Sequence, residues 1–293
     1  MTYERDGAVA RITLDRPERG NAITLEMPRE LAACVERANL DPEVHAIALA
    51  GNGRGFCGGY DLAAAEAMGG DAGAEAAAGS PLDPAVIAAN HDPAGTWDPV
   101  VDFQMMWRNV RGFMSLFWSE KPVICKVHGF CVAGGTDMAL CSDLLVVEDG
   151  ARIGYPPARV WGVPTTALWA ARIGPARAKR LLLTGDSLTG AEAAEWGLAT
   201  EAAPAAELDE RFEALVARVA QLPTNQLVMN KLLINQALYA QGLHATQVLG
   251  TLFDGIARHT PEGYEFARRA AEAGWRQAVR ERDEPFGDER PRP

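Results

Sequence analysis

Two glycine-rich loops constrain this chain more than any other feature. Each is entered from a short apolar run and left through helix-like residues. The first is Gly55-Phe56-Cys57-Gly58-Gly59-Tyr60-Asp61-Leu62, and the second is His128-Gly129-Phe130-Cys131-Val132-Ala133-Gly134-Gly135-Thr136-Asp137. A short apolar run bounded by turn residues reads as a buried strand, so each loop marks a strand giving way to a helix. Backbone without side chains at a helix start presents free N–H groups and the positive end of the helix dipole. Two such loops brought together offer two donors to one developing oxyanion. Neither is a nucleotide fingerprint. G-x-x-x-x-G-K-[ST] is absent, and the Gly51–Phe56 run lacks the spacing and the later acid of a dinucleotide site.

The surrounding pattern predicts an α/β chain. Val9 to Leu14 alternates like a strand, and Asp15–Asn21 is a turn. Met27, Leu31, Val35 and Ala38 recur at helical spacing over Thr24–Asn39, with Pro28 tolerated in the first turn. Val44–Ala50, Val123–Val127 and Leu144–Glu148 read as strands, and Phe103–Trp118 as a helix dense in Met, Phe and Trp. Beyond residue 165 the pattern is mostly helical. Thr189 and Glu192 form a capping box, Leu208–Leu222 and Asn225–Tyr239 are long helices, and Thr260-Pro261-Glu262 opens another. Short strands alternating with helices, then a helical end, indicate the α/β class. Two segments depart from it. Residues 63 to about 100 are Ala- and Gly-rich and are expected to be a mobile insertion. The tail from Asp283 is too polar and Pro-rich to be core.

The charge sum, 28 basic against 39 acidic residues, is −11, which disfavours a general nucleic-acid binder. No uninterrupted apolar run approaches a bilayer span, and the charged N-terminal stretch does not read as a secretory signal. Five cysteines without a C-x-x-C pair suggest neither a disulfide frame nor a zinc knuckle, and the five histidines show no metal-binding spacing. The expectation is a cytoplasmic protein with no metal site.

Four stretches together resemble the crotonase (enoyl-CoA hydratase/isomerase) superfamily. They are residues 16–24 (RPERGNAIT), 48–62 (ALAGNGRGFCGGYDL), 121–146 (KPVICKVHGFCVAGGTDMALCSDLLV) and 181–198 (LLLTGDSLTGAEAAEWGL), in the family's order. The resemblance implies a spiral of ββα turns over residues 1–200, carrying the acyl-CoA site, and a C-terminal helical trimerisation region over 201–293. It implies a homotrimer or a dimer of trimers, and an acyl-CoA thioester as substrate, with coenzyme A part of that substrate and no separate cofactor. It assigns the oxyanion hole to the amides of Tyr60 and Gly134. Arg16, Arg19 and Arg54 lie in loops resembling CoA-facing segments, where guanidinium groups suit phosphates. Asp61 aligns with the acid that usually follows the oxyanion residue, and a helix N-cap or first-turn charge also accounts for it.

Hydratases of this family place two carboxylates on one water. Asp137, three residues after the oxyanion glycine, matches the first and is the candidate acid/base. The second position is occupied by Pro157, which cannot ionise. Three accounts remain open. Asp137 works alone, a replacement comes from elsewhere (Tyr155, Arg159, Trp161, His91, Asp92 or Asp98), or the site binds acyl-CoA with little chemistry. Hydrolysis, decarboxylation and C–C bond cleavage need the same oxyanion hole and stand as alternatives to hydration or isomerisation. Packing is the favoured reading of Tyr155, Trp161, Cys57 and Cys131, and His128 reads as structural, tied to a backbone group.

Overall fold

The computed structural model describes residues 1–62 and 77–287. Its larger sheet has six strands: β1 (Thr2–Asp6), β2 (Val9–Leu14), β3 (Ala46–Gly51), β4 (Val123–Val127), β6 (Leu144–Glu148) and β9 (Glu201–Ala203), in that spatial order. Only the β1–β2 pair is antiparallel. The parallel strands are covered on both faces, which is why they read as apolar runs. Their alternation sorts two cores. Ile12, Leu14, Ile47, Leu49, Val123 and Cys125 face α1 (Met27–Leu40) and α3 (Pro99–Trp118). Val9, Ala46, Ala48, Ile124 and Val146 face Leu208, Phe212 and Val216 of α7 (Leu208–Ala220).

A smaller sheet runs β5 (Phe130–Val132), β7 (Arg152–Gly154), β8 (Ser187–Thr189). Consecutive strands β4 and β5 therefore belong to different sheets and precede α4 (Gly134–Ala139). Strands β6 and β7 repeat the arrangement before α5 (Trp169–Leu182), which kinks at Gly174. These are ββα turns of a spiral. The Thr189–Glu192 capping box starts α6 (Gly190–Glu195) as expected. The C-terminal helices are α8 (Thr224–Ala240), α9 (Leu243–Arg258), α10 (Pro261–Ala273) and α11 (Trp275–Asp283), and α9 lies along α3.

Two expectations change. Of the supposed mobile insertion, residues 63–76 lie outside the described residues, but 77–100 is built into the fold. Helix α2 (Pro84–Asn90) is N-capped by Asp83, and Asp98 caps α3, which starts at Pro99 and not at Phe103. Polar side chains anchor this segment: Asn90 and the Trp97 indole both donate to buried Asp102, at 3.0 and 2.8 Å. The tail also enters the interior at its first residue. Asp283 is buried and accepts from Arg159 at 3.1 Å, so a charge partner supplies what apolar content did not.

Candidate active site

Asn21 staples the loops that build the site. It is fully buried at positive φ, accepts from the Arg16 amide, and donates to the carbonyls of Asn52, Gly55 and Phe56 at 2.8–3.1 Å. The first glycine loop then runs parallel to β5. Cys57 bridges Cys131, with the amides of Phe56 and Cys57 on the Phe130 carbonyl and Val132 on that of Cys57. Three residues further along both segments, Tyr60 lies beside Gly134. A Cβ built on Gly59 would sit 2.8 Å from Ala133 Cβ and 3.5 Å from the Gly134 nitrogen; one on Gly134 would meet the Tyr60 ring at 2.7 Å. A side chain at 134 would have to displace the Tyr60 ring and the Ile23 methyl. Ile23 pairs with the same strand on its other side, taking the amide of Asp61 and giving its own to Gly59. Among the described residues, neither the Tyr60 nor the Gly134 amide has a backbone acceptor. Ala133, between β5 and α4, holds φ 54° and ψ −128°, a strained turn for a residue with a Cβ.

Asp137 stands one turn into α4 and is fully buried. Its Oδ1 accepts from the Thr166 amide at 3.1 Å and the Thr166 hydroxyl at 2.8 Å. Its Oδ2 is buried with no partner. Burial pushes its pKa up to about 7; the Thr166 hydrogen bonds oppose this and the charge of Asp254 adds to it. The Tyr60 hydroxyl is likewise buried, and burial, then the charges of Asp137 and Asp254, push its pKa well above the ordinary 10, with Asn109 opposing.

Arg16 and Asp61 find each other. The guanidinium donates to Asp61 at 3.1 Å and to the Ala22 carbonyl at 2.7 Å, tying the two loops together. Arg19 and Arg54 are exposed on neighbouring loops that touch through Gly53 and Pro17. Cys57 is buried and its thiol is pushed up to about 12, a packing residue and not a nucleophile. His128 Nε2 bonds the Gly53 carbonyl at 2.9 Å.

Around the missing second acid, Pro157 lies in a 3-10 turn whose carbonyl collects the amides of Val160, Trp161 and Gly162. Arg159 faces Asp186 and Asp283 and caps the Phe286 ring. Tyr155 donates to the Val163 carbonyl at 3.0 Å, and Trp161 packs on Phe266. Asp92 and Asp98 bond nearby amides in a turn and a cap. His91 stacks on His259 in a hub centred on Asp102, whose oxygens also receive Arg258, Asn90 and Trp97. His91, Asp102 and His259 bring ligand atoms within 4.8 Å of one another, but Asp102 already receives these donors and a cation there would face the Arg258 guanidinium.

The structure adds Thr166, Asp254 and Arg258, which the sequence alone does not single out. Asp254 is buried on α9, accepts from the Val163 amide at 3.3 Å and pairs with Arg258 at 2.9 Å. Burial raises its pKa, and the Arg258 charge opposes that. The available signal was a polar stripe: Gln247, Thr251, Asp254 and Arg258 recur at helical spacing in an otherwise apolar segment.

Comparison with known proteins gives the family. The sequence profile described as enoyl-CoA hydratase/isomerase matches residues 4–84 and 101–265. The chain is 31% identical over 234 residues to a putative enoyl-CoA hydratase, EchA13, of Mycobacterium tuberculosis, covering 75% of this chain and 67% of the relative. It is 30% identical over 224 residues to the 1,2-epoxyphenylacetyl-CoA isomerase of Escherichia coli, covering 74% of each. A crystal structure of an enoyl-CoA hydratase from Mycobacterium smegmatis superposes with a TM-score of 0.93 at 55% identity, over 100% of this chain and 96% of that one.

Proposed function

This chain belongs to the enoyl-CoA hydratase/isomerase family, and from that premise we propose that it acts on an acyl-CoA thioester through an enolate. The amides of Tyr60 and Gly134 hold the thioester oxygen as it gains charge, and Asp137 moves the proton at the adjacent carbon. One observation supports this reading: Tyr60 and Gly134 are neighbours whose amides have no backbone acceptor among the described residues, and Gly134 stands one helical turn before the buried Asp137 carboxyl. Preorganised donors of this kind lower a barrier by roughly 2.7–4 kcal/mol each. A carboxyl titrating near 7 suits proton transfer at neutral pH.

In this reading exposed Arg19 and Arg54 meet the CoA phosphates, while Arg16 and Asp61 brace the loop carrying Tyr60. The protein works in the cytoplasm without a resident cofactor, as a homotrimer or a dimer of trimers. No helix among the described residues is long and apolar enough to cross a membrane. The leading activity is hydration or isomerisation of an enoyl-CoA. The proline at 157 favours a second reading, another reaction of the same enolate such as hydrolysis, decarboxylation or C–C cleavage.

Exchange of the α-protons of a saturated acyl-CoA into D2O tests the shared step, with enoyl- and β-ketoacyl-CoA thioesters followed by mass to identify the reaction. Wild-type protein is expected to exchange, and Asp137→Asn to lose at least about 100-fold. Exchange unchanged in that variant removes Asp137 from the mechanism.

A further inference from the structure

A second buried carboxyl lies where the first one can feel it. Asp137 and Asp254 come from helices far apart in sequence, and the segment from Val163 to Thr166 spans the two. The Val163 amide donates to Asp254, and the Thr166 amide and hydroxyl donate to Asp137. Gln247, two turns before Asp254 on α9, donates to the Thr166 carbonyl at 3.0 Å and pins the strap from the other side. Tyr155 pins it again through Val163. Charge is arranged unequally along this pair. Asp254 has Arg258 against its Oδ2, and Arg258 is itself held by Asp102 at 3.1 Å. Asp137 has no cation against it; its charge is eased only by hydrogen bonds from the Thr165–Thr166 segment. Two acids in one low-dielectric space do not both ionise freely, and the guanidinium favours charge on Asp254 over charge on Asp137. The phenol of Tyr60, whose amide is one oxyanion donor, feels both acids and Arg258.

We propose that Asp254 is a second catalytic carboxylate, supplied by α9 in place of the acid that Pro157 cannot provide, and that it activates the water added to an enoyl-CoA. This inference rests on the acyl-CoA reading above. In the addition step the Asp254 carboxylate takes a proton from water as the water oxygen bonds to the β-carbon. The π electrons of the C=C bond pass to the thioester, giving an enolate whose oxygen sits on the amides of Tyr60 and Gly134. Asp137, as the acid, then delivers its proton to the α-carbon while the thioester carbonyl re-forms. One water is consumed, Asp254 ends protonated and Asp137 ionised, and passage of one proton from Asp254 to Asp137 restores the starting state. Arg258 is a positioning residue, holding Asp254 ionised and oriented.

The two acids are separable by experiment, because α-proton exchange needs the oxyanion amides and Asp137 whereas water addition needs Asp254 as well. Wild-type, Asp137→Asn and Asp254→Asn proteins are compared for exchange of a saturated acyl-CoA in D2O and for addition of H2O to the matching enoyl-CoA. The expected result for Asp254→Asn is a loss of water addition of at least about 100-fold, with exchange reduced by less than about 10-fold. Its exchange–pH curve also moves to lower pH, since a negative charge beside Asp137 is gone. Asp137→Asn loses both reactions. Water addition by Asp254→Asn within about threefold of wild type, or exchange lost as completely as addition, overturns the proposal. If Asp254→Asn does not fold, Asp254→Glu takes its place: displacing the carboxylate by one methylene is expected to cut addition about 10-fold with exchange kept, and wild-type addition overturns the proposal. Wild-type protein that exchanges α-protons but adds no water to any enoyl-CoA refutes the role of Asp254 alone; failure of wild type in both assays refutes the acyl-CoA reading itself.

Discussion

At the scale of single residues, Asp137 couples stability to chemistry. Its carboxyl titrates near 7 in the folded protein against the ordinary 3.8, so the native state holds a proton that the unfolded chain releases. Its favourable contribution is complete below about pH 4 and is lost as pH climbs to about 7; above that the buried charge is a standing penalty of about 4 kcal/mol. Asp137→Asn is therefore expected to gain stability over wild type progressively between these limits, with little difference in acid, as read by denaturant midpoints across pH. A constant offset at all pH values contradicts the assignment. Function moves the other way. Removal of an α-proton needs the ionised form, so exchange by wild type should rise through about pH 7 and level off.

Among elements, the parallel ladder of the first glycine loop against β5 carries the site, and Asn21 holds it in register. Asn21→Ala leaves the Arg16 amide and the carbonyls of Asn52, Gly55 and Phe56 without their side-chain partner. A loss of about 2–4 kcal/mol is expected in unfolding experiments, together with slower α-proton exchange, because the Tyr60 amide loses its support. The ladder was legible in the sequence, since a glycine run between an apolar strand and a helix signals close backbone approach, and the four family stretches arrive in order. Which way helix α9 faces was not legible. Sequence periodicity assumes that apolar residues point inward, and here the rule is inverted. Leu249, Leu252, Phe253 and Ile256 are exposed, while Gln247, Thr251 and Asp254 are buried. The inner stripe holds the second acid, so a site residue was concealed by a helix facing the other way. The 77–100 segment departs from its sequence-based expectation for a related reason. Its order comes from Asn90 and Trp97 bonding Asp102, not from apolar bulk.

For the whole molecule, the outward apolar residues of α9 are matched by exposed Met229, Leu232, Leu233 and Ile234 on α8. Exposed apolar surface on this scale marks association. Sedimentation should therefore give a mass that is a multiple of 31.4 kDa, and Leu233→Glu, at a position 73% exposed, should shift it toward the single-chain value. If Asp254 serves as proposed, dissociation of the surface on the same helix is also expected to slow water addition more than it slows acyl-CoA binding. The claim on which all of this depends is that two backbone amides serve one oxygen. A crystal structure with a saturated acyl-CoA bound measures it directly. The thioester oxygen is predicted to lie about 3 Å from both the Tyr60 and the Gly134 nitrogens, with the α-carbon facing Asp137. A thioester oxygen within hydrogen-bonding distance of neither amide contradicts the account.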